Sequence, residues 1–332
     1  MPVVSVPPLT FGRLFTQWQW HPVSALVTLI LIAGYAAGVY VVRRRGKPWP
    51  AVRTLAWFLA VALLVLATAG GIAVYSDALF WMHMVAHLVL IMVVPLGLIW
   101  GRPLDLAIAA SGSKGPALER TFHGPAVSLI TFPLLTLGLY AVVIAGTHLT
   151  DFMNTMMMHP WLHGLESAIY VVVGVLFFAP LVSSTPLRWQ LSEPMRIMLM
   201  VLAMPVDTFT GVVLGQTSTF PWPMMAMMRP AWAPDPIDDL HAGGAVMWIG
   251  GDAIMAILMG VAAVAWVRAA GSGESSELGG WLSAARVNTQ RDFVTGHADD
   301  EGDGQPAEAR TGDSDDDLAD YNRYLERLNR GG

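Results

Sequence analysis

The sequence predicts an all-α integral membrane protein: a bundle of about seven transmembrane helices, N-terminus outside and C-terminus cytoplasmic, with a disordered acidic tail. Three observations predict it. The 332-residue chain is 54% hydrophobic and only 13% charged, against about 25% charged residues in soluble domains. Seven stretches, at 23–42, 53–74, 80–100, 126–146, 163–182, 195–215 and 242–268, approach or exceed the roughly 20 apolar residues that cross a hydrocarbon core of about 30 Å. The basic residues fall on alternate loops.

Each element follows from these. Backbone groups in lipid must pair within the spanning segment, which selects helices, and the short alternating strands of a barrel are absent from the sequence. Pro95, Pro133, Pro180 and Pro205 stand in or beside the segments and blur their ends. The first loop carries Arg43, Arg44, Arg45, Lys47 and Arg53. The next loops on that side carry Arg102, Lys114 and Arg120, then Arg188 with Arg196, and seven more basic residues follow from Arg268 onward. That places 17 of 19 basic residues on one side and leaves Arg13 and Arg229 on the other. Basic loops stay cytoplasmic, so the N-terminus is outside and the span count is odd. The N-terminus lacks the three-part pattern of a signal peptide, and the first helix is read as a retained anchor.

Two parts are expected, a transmembrane domain over 1–270 and a tail over 271–332. The tail has six basic against 14 acidic residues, a composition that buries no core. Its end places Leu318, Tyr321, Leu325 and Leu328 on one helical face, a short amphipathic helix. There is no cysteine, hence no disulfide and no thiolate site. A soft-metal site in this chain has to be built from histidine and methionine.

On this topology seven of nine histidines fall at the outer face: His21, His83, His87, His148, His159, His163 and His241. His83/His87 and His159/His163 are both spaced i,i+4, so each pair shares a helix face and has the geometry of helical metal sites. Met82 and Met84 flank His83. Met153, Met156, Met157 and Met158 precede His159, and Met224, Met225, Met227 and Met228 form a second cluster; both clusters are expected in outer loops. Thioether sulfur favours Cu(I), although methionine is also an ordinary apolar filler.

Three acids lie in or near the spans. Asp207 and Asp252 sit within the sixth and seventh, where a carboxylate costs about 2.5–3.5 kcal/mol on insertion scales and marks function or specific packing. Glu166, one turn from His163, is expected to orient it. The seventh span opens with Asp238-Asp239-Leu240-His241-Ala242-Gly243-Gly244-Ala245-Val246-Met247-Trp248. Asp238 or Asp239 is the expected helix cap, and the glycine pair admits a close backbone or ligand. Helices three, five and seven are expected to share an outer site.

These residues carry a resemblance. The run His83-Met84-Val85-Ala86-His87 through Val94-Pro95-Leu96, followed by Gly101-Arg102-Pro103, resembles the HMxxH…P-L…G-x-P pattern of the CtaG family, polytopic assembly factors of cytochrome c oxidase. The block from Asp239 to Trp248 resembles that family's D-x-(Q/H)-x-G-G-x-x-M-W element, and His159-Pro160-Trp161-Leu162-His163 its histidine pair. The resemblance covers about 1–270. At Met204-Pro205-Val206-Asp207 the family pattern has a histidine where this chain has an oxygen donor. The thiol-bearing single-span protein that shares the CtaG name differs in topology and in having cysteines.

The resemblance implies a non-enzymatic, multi-pass plasma-membrane protein of actinobacterial type, maturing a haem–copper oxidase by binding or delivering copper at the outer face. Expected ligands are His83, His87, His159, His163 and His241 with Met82 and Met84. Asp239 is expected to orient His241, with Glu166, Asp207 and Asp252 supporting. Expected partners are oxidase subunits, the lipid membrane and an extracytoplasmic copper donor. Nothing points to nucleic acid. Two alternatives stand beside this reading: a haem-binding membrane protein and a copper importer.

Overall fold

The computed structural model describes residues 6–182 and 186–271, and all regular structure among them is helical. The chain divides into a unit Met1–Arg268 and a unit Ala269–Gly332. The acidic tail and the amphipathic stretch expected at 318–328 lie outside the described residues.

Among the described residues six helices are long and apolar enough to cross a membrane, and a bent pair makes seven if it crosses as one span. They are α1 (Pro22–Arg44), α2 (Ala51–Ser76), α3 (Phe80–Ala110), α4 (Pro133–His148, followed after a 69° bend by Phe152–Met158), α5 (Pro160–Phe178), α6 (Glu193–Gln216) and α7 (Pro236–Arg268). Proline moves the start of the fourth span from its expected limit. The fourth span starts at Pro133, whose missing N–H suits a first helical position, and Pro125–Ile130 becomes a separate short helix.

Pro95 shapes α3. It cannot donate to the Ile91 carbonyl four residues back, and its ring crowds that oxygen. The helix widens here into a π turn over Val89–Val93. The Ile91 oxygen then lies against Gly174 of α5, where a β-carbon would stand 2.1 Å away. Only glycine lets α5 seat this closely, as small residues do between helices in lipid. Gly211 of α6 and Gly244 of α7 do the same for each other; a β-carbon on either would meet the other's carbonyl oxygen at 2.6 Å.

α3 is the central helix: 72% of its apolar window is buried, against 17% in α1 and in α7. α3, α5, α4, α6 and α7 close a ring, each packed on the next, while α2 packs on α3 and α1 on α2 and the end of α3. Two faces of this ring carry polar side chains at four-residue intervals. α4 buries Thr136, Tyr140, Ile144 and His148, and α5 buries Glu166, Tyr170 and Gly174.

The start of α3 is held from outside. Its N-cap residue is Leu79, which has no side-chain acceptor, so the first N–H groups need a partner from elsewhere. Asp239 of α7 supplies it, accepting from Phe80 N at 2.8 Å and Trp81 N at 3.0 Å, and pairing with Arg229. The cap of α7 itself is Asp235, which accepts from Ile237 N at 2.9 Å. The expectation that Asp238 or Asp239 caps α7 is therefore corrected, and Asp239 acts across helices. Asp239 is 1% exposed, and its removal strands a guanidinium and two amides. Asp239→Ala is expected to cost about 3–5 kcal/mol, read as a large fall in melting temperature in detergent, with Asp239→Asn falling less. An unchanged melting temperature would show that α3 needs no such cap.

Candidate metal centre

The ring brings His83 and His87 of α3 together with Glu166 of α5. One ligand atom from each lies within 4.8 Å of the others, and all three residues are buried. The His83 and His87 ring centroids are 4.1 Å apart, the outcome of their i,i+4 spacing.

The hydrogen bonds set the tautomers. His148 Nδ1 lies 2.8 Å from the Ile144 carbonyl, to which it donates. Its Nε2 is then a lone pair and accepts from His87 Nδ1 at 3.0 Å. Thus His87 Nε2 is also a bare lone pair, and it faces Glu166 Oε1 at 3.5 Å. His83 Nε2 and Glu166 Oε2 are buried without a hydrogen-bond partner. The inward lone pair of His87, the Glu166 carboxyl and the unpartnered Nε2 of His83 therefore converge. Buried acceptors in this state are costly, and a cation seated among them satisfies all of them. The relay from His87 through His148 to a backbone carbonyl is the support that metal-binding imidazoles use to fix ring and tautomer.

Tyr170 and Thr147 frame this relay. Thr147 Oγ1 donates to the Val143 carbonyl at 2.8 Å and lies 2.6 Å from Tyr170 OH and 3.0 Å from His148 Nδ1. The Tyr170 ring packs on His87 with centroids 4.2 Å apart. His163 sits at the mouth, its ring 6.0 Å from that of His83 and its Nδ1 3.5 Å from Asp77 Oδ1. Gln19 donates to the other Asp77 oxygen at 3.4 Å. Partial desolvation raises the Asp77 carboxyl above its ordinary value, and His163, the Gln19 amide and His21 pull it back.

The remaining expected site residues divide. His159 is exposed and bonds to the Thr155 carbonyl of its own chain segment, so the His159/His163 pair does not act as a unit. His241 bonds to the Thr217 carbonyl at 3.0 Å, and Asp239 is engaged at the start of α3 instead of orienting it. Glu166 faces His87, while Asp77 is the acid beside His163. Met82 and Met84 are buried in the core, Met84 against Gly243. The methionine clusters expected in loops are short helices, Phe152–Met158 and Pro223–Met228, which pack on each other and bury Met153, Met156 and Met225. Asp207 accepts from Tyr140 OH at 2.7 Å and Asp252 from Thr208 Oγ1 at 2.8 Å. The second oxygen of each of these acids is buried and unpaired.

The sequence reading placed His148 at the outer face without giving it a role in the site, and missed Tyr170 and Asp77. For the role of His148 a signal existed in Thr136, Tyr140 and His148, polar groups four and eight residues apart on one face of an otherwise apolar helix. Asp77 had none, because its role depends on how the segment between α2 and α3 folds back.

Fold and site together define a polytopic α-helical membrane protein with a buried imidazole–carboxylate cradle at one end of its bundle. The chain belongs to the cytochrome c oxidase caa3 assembly factor (Caa3_CtaG) family, whose sequence profile matches residues 33–269. It is 29% identical over 250 residues to an uncharacterized protein of Mycobacterium bovis, covering 73% of this chain and 38% of that one. It is 26% identical over 270 residues to one of Mycobacterium leprae, covering 79% and 41%. The chain thus spans about two fifths of the length of these curated relatives. No solved structure matches it.

The cradle makes a direct prediction in the metal-free protein. Glu166→Gln removes a buried charge and supplies an amide N–H to the lone pair of His87. The variant is expected to melt higher than the parent, by about 1–3 kcal/mol, as replacements at strained functional sites do. A lower melting point would show that the carboxylate already holds its own proton donor.

Proposed function

We propose that this protein binds one copper ion between His83, His87 and Glu166 at the outer face of the plasma membrane and supplies it to the copper centre of cytochrome c oxidase during assembly. The observation that carries this reading is the buried convergence of two imidazoles and a carboxyl, with the His87 lone pair turned inward and His83 Nε2 and Glu166 Oε2 without a hydrogen-bond partner. Family membership supports the oxidase as client, and the one-sided basic loops support the outer placement. His148 fixes the tautomer of His87. Asp77 and His163 stand where a metal from an extracytoplasmic donor would be captured. The role is that of a carrier, not a catalyst.

The donor set bears on the ion. Two imidazoles and a carboxylate suit Cu(II) or zinc as readily as Cu(I), which thioethers would favour. Axial haem ligands stand on opposite faces of a macrocycle. His83 and His87 share one helix face with rings 4.1 Å apart, and His87 is bonded directly to His148. This geometry argues for an ion over haem. The importer reading keeps one observation, the unpaired oxygens of Asp207 and Asp252 deeper in the bundle.

Deleting the gene and assaying terminal oxidase activity tests the proposal. Activity is expected to fall at limiting copper and to recover with added copper; full activity at limiting copper would refute it. His83→Ala with His87→Ala is expected to remove bound copper from the purified, inserted protein, measured by elemental analysis. Copper uptake into vesicles holding only this protein would move the assignment to import.

A further inference from the structure

Away from the metal centre, α1 and α2 leave a groove of about 540 Å³, floored by Ala36, Val39 and Phe58 and ending at Arg43 and Arg44. α1 is the least covered span together with α7, so this groove faces the surroundings of the bundle. The spacing of Ala36, Val39, Tyr40 and Arg43 puts them on one face of α1. That face is apolar along most of its length and cationic at its end.

The two guanidiniums differ from their neighbours. Arg45 is already used, donating to the Ala109 and Ala110 carbonyls at 3.3 and 2.7 Å. Arg53 lies over the Trp49 ring at 5.1 Å. Arg43 and Arg44 are exposed, and neither has a carboxylate partner among the described residues. Arg44 is held over the Tyr40 ring at 5.5 Å, beside the groove. Guanidinium forks match phosphate oxygens bidentately. Basic pockets between transmembrane helices are suited to anionic lipid headgroups, and a free phosphate would leave the apolar floor uncovered.

We propose that this groove is a binding site for one anionic phospholipid, its phosphate held by Arg43 and Arg44 and an acyl chain lying on Ala36, Val39 and Phe58. The site is built from sequence in a simple way: an apolar helix face whose last turn turns basic, beside a second helix that does not fill the space.

The test offers full-length protein in detergent equal amounts of phosphatidylglycerol and phosphatidylcholine and counts retained lipid by native mass spectrometry. One phosphatidylglycerol is expected to be retained in preference. Arg43→Gln with Arg44→Gln should lower its retention about tenfold. Ala36→Trp, which fills the groove and leaves the charges, should lower it as well. Lys114→Gln with Arg120→Gln, removing equal charge elsewhere, should not. Equal retention of the two lipids by the parent protein would overturn the proposal. So would an equal loss in the Lys114/Arg120 variant, or displacement of the lipid by millimolar inorganic phosphate.

Discussion

Inside the α3–α5–α4–α6–α7 ring, the Glu166 carboxyl, the inward lone pair of His87 and the unpartnered Nε2 of His83 face one another. Much of the surrounding structure is arranged to keep them so. Gly174 brings α5 onto α3 and with it Glu166 and Tyr170, two and one four-residue steps earlier on the same face. Asp239 pins the first turn of α3, just before His83. His148, bonded to the Ile144 carbonyl, commits His87 to the tautomer that turns its lone pair inward. An apolar bundle would be more stable with leucine at these positions, and the repulsion it tolerates is the property a cation site needs.

The described methionines have packing roles of their own. A soft-ligand trap would place sulfur among the nitrogens. Here Met84 lies against Gly243, and the two clusters pack as short helices on each other, burying Met153, Met156 and Met225. Their thioethers fill space at the head of the bundle, a task to which flexible, unbranched side chains are suited.

The spans were legible because hydrophobic length is a property of contiguous sequence. The His83/His87 pair was legible for the same reason, since i,i+4 spacing is fixed within one helix. What lay beyond reach were partnerships across helices. Glu166 meets His87 instead of His163, helix four enters the site in place of helix seven, and Asp239 reaches α3 in place of His241. Each depends on helix rotation and closest approach, which turn on Pro95, the π turn it imposes and a handful of glycines. The π turn redirects the face of α3 beyond His87, and no periodicity count that assumes a regular helix can follow it.

Under the proposed function, His83, His87 and Glu166 hold a metal without sulfur. X-ray absorption fine structure of the copper-loaded protein tests it directly. The expected spectrum is a nitrogen and oxygen shell with the multiple scattering of two imidazoles, lost in His83→Ala with His87→Ala. A sulfur shell that survives in that variant would contradict it and return the ion to the methionines.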